Sequence, residues 1–181
     1  MPLIDTRVPP EDIARLFVAL WPPAELAAAL CARYDATCGP DSMRTEAAER
    51  LHLTLHFIGD VQRSRLPELQ SALCVPFDSF ELRIGACERW PGGLVVARPD
   101  AVPPALTDLH AALRKVLDAL GLRTDDRPFR PHITLARRDA GPWPAQPQAA
   151  EPLRWPVRHY LLAESLSGSP RAYRVLKTCA G

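Results

Sequence analysis

The sequence predicts an α+β protein built on antiparallel-rich sheets, with an internal pseudo-duplication. Three observations carry that expectation. Short β-prone runs are joined by tight Pro/Gly turns with few long crossovers. Helical periodicity is confined to separate stretches between those runs. A six-residue run opening with His and continuing to Thr-Leu occurs twice, HLTLHF at 52–57 and HITLAR at 132–137. Each copy follows a helix and a polar, turn-prone stretch, so the two occupy comparable places in the two halves of the chain.

ARLFVALW (14–21) is a short β-prone run stopped by Pro22-Pro23, and AELAAALCARY behind it has the alanine content and Leu26/Leu30/Tyr34 spacing of a helix. LHLTLHFIG (51–59) alternates and ends at Gly59-Asp60. Ser64 is placed to cap a second helix, with Pro67 in its first turns and Leu66, Leu69 and Leu73 on one face. FELRIGAC (80–87) and GLVVARP (93–99) flank a Pro-Gly-Gly turn and read as a hairpin, followed by a proline-rich joint at 99–104. Leu106, Leu109, Leu113, Val116/Leu117 and Leu120 mark the clearest helical pattern, closed by Gly121. FRPHITLAR (129–137) is again strand-like. Residues 138–152 hold four of the 20 prolines without periodicity and read as a surface loop. WPVRHYLLAESL (155–166) and RAYRVLKT (171–178) close the chain as two strands joined through Gly168-Ser169-Pro170.

A chain of 181 residues, 47% hydrophobic, can bury a core as one domain or as two lobes sharing one. Charged residues at 24% and a net charge of +1 argue against a disordered chain and against a protein that coats long nucleic acid. An anionic partner has to be held locally. Lys115 and Lys177 are the only lysines among 22 basic side chains, and Arg is the better bidentate phosphate ligand, although GC-rich coding would produce the same excess. Five cysteines, Cys31, Cys38, Cys74, Cys87 and Cys179, include no C-x-x-C pair. They indicate neither a disulfide framework nor a zinc knuckle, so a reducing cytoplasm is the expected setting. The first 21 residues carry Asp5, Glu11 and Asp12 ahead of a short apolar run, unlike a signal peptide, and no stretch approaches the roughly 20 apolar residues of a membrane span.

Alternate side chains of a strand share a face, so His52 and Thr54 point one way while Leu53 and Leu55 enter a core. His132 and Thr134 repeat the arrangement over Ile133 and Leu135. If the two strands lie side by side in related orientations, two imidazoles and two hydroxyls converge on one cleft. With an unperturbed pKa near 6.5, one imidazole can act as a neutral base while another donates a proton. Phosphodiester transfer needs both acts, each worth on the order of 10²- to 10⁴-fold. Threonine hydroxyls and an arginine can hold the phosphate oxygens. No metal is required.

At these residues the chain resembles the two-histidine (2H) phosphoesterase superfamily, and within it the bacterial and archaeal RNA 2′,3′-cyclic phosphodiesterases, also called 2′-5′ RNA ligases. ARLFVALWPP looks like the family's opening strand, HLTLHFIGDV and RPFRPHITLAR like its two signatures, and HYLLAESLSGSPRAYRVL like its closing hairpin. The resemblance implies a single bilobal 2H phosphoesterase domain over 1–181: two antiparallel-rich sheets with pseudo-twofold symmetry about a central cleft, helices outside, and one H-x-T motif lining the cleft from each half. It implies opening of RNA 2′,3′-cyclic phosphate ends to 2′-phosphates without metal or nucleotide cofactor. Some members also make or split 2′-5′ linkages in tRNA halves, and small cyclic nucleotides are further expected substrates. By analogy His132 is the base on water and His52 the acid toward the 3′ oxygen, with Thr54, Thr134, Arg137 and Phe57 binding substrate. A cytoplasmic monomer is expected.

Strict alternation would put Phe57 and Arg137 on the face opposite the histidines, so their contact with substrate requires each strand to end, twist or bulge there. MRTEAAER (43–50) lacks the aromatic that members usually carry before the first motif, so that part of the surface should differ. His56 would share the face of His52 in a regular strand and is read as peripheral. His110 and His159 are read as packing or surface residues, and Arg127 and Arg130 as solvated charges able to steer RNA. Two rival readings remain. One is a non-catalytic nucleotide- or RNA-end-binding module of the same fold. The other makes the histidines metal ligands, a thin site where catalytic zinc usually has three protein ligands.

Overall fold

Residues 12–39, 46–125, 127–137, 139, 141, 143, 151–167 and 172–181 are described by a computed structural model. The expectations for the acidic segment 1–11, for residues 43–45, for most of the 138–152 loop and for the 168–170 joint lie outside these residues. In chain order the elements are β1 (Ile13–Leu20), α1 (Ala24–Cys38), β2 (Leu53–Gln62), α2 (Leu66–Ala72), β3 (Phe80–Trp90), β4 (Leu94–Pro99), α3 (Pro104–Ala119), β5 (Ile133–Ala136), β6 (Leu153–Val157), β7 (His159–Leu166) and β8 (Ala172–Ala180).

All eight strands form one antiparallel sheet in the order β6-β3-β4-β5-β2-β1-β7-β8. The α+β expectation holds, but one sheet replaces the two expected. Its four-stranded halves meet at a seam between β5 and β2, where Leu53 pairs with Ile133. Each motif strand would be the open edge of a separate sheet. Pairing them satisfies backbone groups that two edges would leave exposed.

The segment read as one strand over 155–166 is split at Arg158, because β6 pairs with β3 in one half while β7 pairs with β1 in the other. With one residue between them, the sheet must curl until its halves approach on that side. α1 and α3 cover its convex face. α3 buries Leu106, Leu109, Leu113 and Leu117, and α1 buries Leu26, Leu30 and Tyr34, over Leu16, Val18, Leu20, Leu53, Leu55 and Ile133. Each fully buried Leu contributes about 2 kcal/mol to that core. The alternate residues of β1 face the other way, where Phe17, Ala19 and Ala163 form a smaller cluster with Trp21 and Tyr173.

Ser64 does not cap α2. β2 runs on past Gly59, which takes φ +84° inside the strand, and a 3₁₀ turn at Arg63–Arg65 then leads into the helix without a side-chain cap. The start of the 138–152 loop is tied down: Asp139 N donates to Gly93 O at 2.9 Å and Arg89 donates to Gly141 O at 2.9 Å. Cys74 and Cys179 form a disulfide with Cα atoms 5.2 Å apart, correcting the expectation of none. The two are 105 residues apart in sequence, and only the packing of β8 beside the end of α2 brings them together. No described helix is long and apolar enough to cross a membrane.

Candidate active site

His52 and His132 each sit one residue before their strand, on either side of the seam. Leu53 and Ile133 point into the core, so the neighbouring side chains turn to the opposite, concave face. Carrying the antiparallel register one residue each way sets His52 against Thr134 and Thr54 against His132. The four side chains form a two-by-two array, all partly exposed. His132 is close enough for its charge to act on His52.

Each imidazole is held from behind in the same way. His52 Nδ1 lies 2.6 Å from Arg50 O, and His132 Nδ1 lies 2.7 Å from Arg130 O. A carbonyl only accepts, so Nδ1 carries the hydrogen in both rings and Nε2 keeps its lone pair when the ring is neutral. The carbonyl comes from the residue two before the histidine in both copies, and both are arginines. The repeat is therefore R-x-H-x-T-L, one position pair longer than the motif read from sequence.

Around this shared geometry the surroundings differ. Trp21 stacks on His52 at 5.1 Å with 20° between planes, its indole N–H donating to Glu49 O at 3.1 Å. Phe17 lies at 5.1 Å and Tyr173 edge-on at 5.2 Å from the same imidazole. Among the described residues His132 has one aromatic neighbour, Trp90, at 4.8 Å, and the Arg130 guanidinium lies over that indole at 4.7 Å from its centre. Burial lowers both histidine pKa values below the ordinary 6.5. For His52 the Arg50 carbonyl and the Glu46 carboxylate oppose the shift, while Arg137 and His132 add to it. For His132 the Arg130 carbonyl opposes it, while the positive charges of Arg137, Arg130 and Arg98 add to it.

Two bulges in β2 decide where the next side chains point. Ala19 pairs with Thr54 and Val18 with His56, leaving Leu55 as an extra residue. Alternation is reset there, and His56 turns away from His52 to the convex face, correcting its expected placement. It is 4% exposed, bonded through Nε2 to His110 O at 2.8 Å and stacked on the His110 ring at 4.0 Å. The same reset brings Phe57, opposite Phe17, onto the concave face, where it is 46% exposed with the Arg15 guanidinium 5.0 Å from its centre.

β5 ends at Ala136, after a register shift against β4, and Arg137 follows at the bend. Its Nε donates to Glu46 Oε1 at 3.2 Å, and Glu46 Oε2 takes Arg50 Nε at 3.4 Å. The positive charge of Arg137 acts on both imidazoles, adding to the lowering of each pKa. Glu46, Trp21, Tyr173 and Trp90 were not singled out from sequence. Only the two tryptophans, each a lone large aromatic at a strand end, left a readable trace. Arg127 is bonded to Asp125, and His159 lies exposed at the start of β7.

The chain matches the 2′-5′ RNA ligase superfamily over residues 18–168, a span containing both R-x-H-x-T-L runs. It belongs to that superfamily. It is 30% identical over 175 residues to the RNA 2′,3′-cyclic phosphodiesterase of Thermus thermophilus, covering 90% of this chain and 88% of that one. Against the Escherichia coli protein of the same name identity is 34% over 127 residues, 68% of this chain and 71% of the other. A crystal structure of a phosphoesterase superposes with a TM-score of 0.83 at 28% identity, covering 92% of this chain and 97% of that one. E. coli LigT complexed with 3′-AMP superposes at 0.81 and 27% identity, covering 93% and 98%. This 2′-5′ RNA ligase superfamily member is thus an enzyme of the phosphodiesterase type, and its two H-x-T-L runs meet at the seam of the sheet.

Proposed function

We propose that this enzyme hydrolyses 2′,3′-cyclic phosphate ends of RNA to 2′-phosphates, with His52 and His132 as the acid–base pair. The halves of the sheet serve as the two lobes of one domain, each supplying one motif. The observation that carries the reading is the matched pair of imidazoles, each held as the Nδ1–H tautomer by the carbonyl two residues upstream, on strands that pair at Leu53 and Ile133. The names of the relatives and the 3′-AMP complex of LigT support the substrate class.

In this reading His132 Nε2 takes a proton from water, whose oxygen attacks phosphorus. The bond from phosphorus to O3′ breaks, and His52 Nε2–H protonates the departing O3′, leaving a 2′-phosphate and a free 3′-hydroxyl. The surroundings favour this assignment. Burial, helped by three guanidiniums, keeps His132 neutral, so its Nε2 lone pair is free to take a proton. Glu46 favours the charged form of His52, and an arriving phosphodiester anion would favour it further. Arg137 and the Thr54 and Thr134 hydroxyls hold the non-bridging oxygens, and Phe57 offers its exposed ring to the terminal base. A 5′-hydroxyl in place of water would yield a 2′-5′ linkage by the same steps, which is the proposed ligase activity.

The test is product identification. EDTA-treated protein acting on an oligonucleotide with a 2′,3′-cyclic phosphate end should leave only a 2′-phosphate. A 3′-phosphate would refute the choice of bond. An inert protein that still bound the oligonucleotide would favour the non-catalytic binding module instead.

A further inference from the structure

A groove of about 310 Å³ adjoins the histidine cleft, its walls including Trp21, Pro22, Leu161 and Val175 and its rim Arg158 and His159. Its volume is at the small end of the roughly 300–1,000 Å³ typical of ligand sites. Trp155 and Val157 of the core also line it, and strand register places its Leu161 and Val175 walls on the same face as the histidines. Thr54 pairs with Ala19 and Ala19 with Leu161, while Ala163 pairs with Val175, so these side chains share the concave side. Trp21 is common to both sites: it stacks on His52 and also lines the groove. The groove therefore begins one ring away from the proposed acid.

We infer that this groove binds the nucleotide on the 5′ side of the cyclic-phosphate end, its base against Trp21, Leu161 and Val175 and its linking phosphate on Arg158. The inference rests on the proposed RNA-end reaction. Three features select this occupant. The walls are aromatic and aliphatic without a carboxylate, whereas Arg158 stands at the rim with no carboxylate partner among the described residues. Aromatic platforms paired with a cation are how proteins hold single-stranded nucleic acid without reading its sequence. Val175 is 52% exposed, one of three large apolar side chains left so open among the described residues, and Phe57 is another. With Phe57 facing the terminal base, Val175 and Trp21 supply an apolar surface for the next one.

The test compares the full-length protein on a 2′,3′-cyclic mononucleotide and on a dinucleotide ending in 2′,3′-cyclic phosphate. Wild type should show a kcat/KM advantage of roughly tenfold on the dinucleotide. Arg158→Glu and Val175→Glu, both at exposed positions, should erase that advantage while leaving mononucleotide turnover within about twofold. Equal kcat/KM on the two substrates in wild type would overturn the inference, as would variants that lose both substrates equally. Variants that lose neither would assign the groove to another occupant, such as an apolar peptide, and would overturn it too. If wild type turned over neither substrate, the proposed reaction would fail, and the groove would be judged on binding alone. Tryptophan fluorescence titration with the mono- and dinucleotide 2′-phosphates should then show a preference for the longer ligand that Arg158→Glu removes; no such preference would end the inference.

Discussion

His52 and His132 start from the same local geometry and finish in different electrostatic company. The backbone carbonyl two residues upstream fixes the same tautomer in both, through a contact that needs nothing beyond the R-x-H stretch itself. What differs is the company around them: three aromatic rings and the Glu46 carboxylate at His52, one indole and the Arg130 and Arg98 guanidiniums at His132, with Arg137 common to both. A duplicated motif thus supplies two similarly held imidazoles, and tertiary structure gives each different neighbours. On this view acid and base are assigned by neighbours rather than by position in the motif.

The sharpest way to break that comparison is to remove each ring in turn. His52→Ala and His132→Ala should each lower kcat on a 2′,3′-cyclic substrate by about 10²- to 10⁴-fold. The two should part on a nitrophenyl phosphodiester, whose leaving oxygen needs no proton. His52→Ala should recover most of its activity there, and His132→Ala should not. The reverse pattern would exchange the roles, and equal recovery would show the two environments to be equivalent.

Arg137 belongs to both half-sites, since it acts on each imidazole and is tethered by Glu46. Arg137→Ala should cost roughly 10²- to 10³-fold in kcat/KM, the usual loss on removing one donor to a developing oxyanion. The effect of pH is subtler. A base must be neutral and an acid charged, so kcat/KM should be bell-shaped, rising as His132 loses its proton and falling as His52 loses its own. Both pKa values lie below the ordinary 6.5 in the free protein, which puts the maximum on the acid side of neutrality. Glu46 raises the His52 pKa, so Glu46→Gln should move the alkaline limb to lower pH and change the acid limb less. An acid limb that moved instead would place the base at His52.

Much of this was legible in the sequence, for reasons that separate local from non-local physics. Leucine spacing in α1 and α3 and alternation in β1, β2 and β7 come from periodicities of 3.6 and 2, which any chain obeys. The shared face of His52 with Thr54, and of His132 with Thr134, follows from the same alternation. Bulges do not follow from it. Leu55 is an extra residue only because of how β2 pairs with β1, yet that one residue exchanges the faces of His56 and Phe57. Glu46 sits in a stretch with no periodicity, and its role exists only because Arg137, 91 residues away, folds beside it. The Cys74–Cys179 bond was hidden in the same way, as was the merger of two expected sheets at a seam printed nowhere in the local pattern.

Beneath the site a stack of three rings ties the two halves, and it should give the smallest and most selective effect. Phe129, just ahead of Arg130, stacks on His110 of α3 at 4.0 Å, and His110 stacks on His56 of β2 at the same distance. Burial lowers the pKa of both histidines, and that of His110 falls to about 4, with the His56 charge the next cause. A histidine whose folded pKa is depressed is protonated in the unfolded chain first. As pH drops below 6.5 the unfolded state gains protons that the folded state refuses, so stability falls progressively until pH about 4, where the folded His110 also charges. Urea midpoints measured at pH 7 and pH 5 should therefore differ, the acid value being lower. His110→Phe keeps a planar ring between Phe129 and His56 while removing one titrating group, and it should shrink that difference without altering the shape of the kcat/KM profile. If the variant moved the activity profile as well, the convex-face stack and the concave-face pair would be coupled, and the two histidine sites would owe part of their contrast to the packing underneath them.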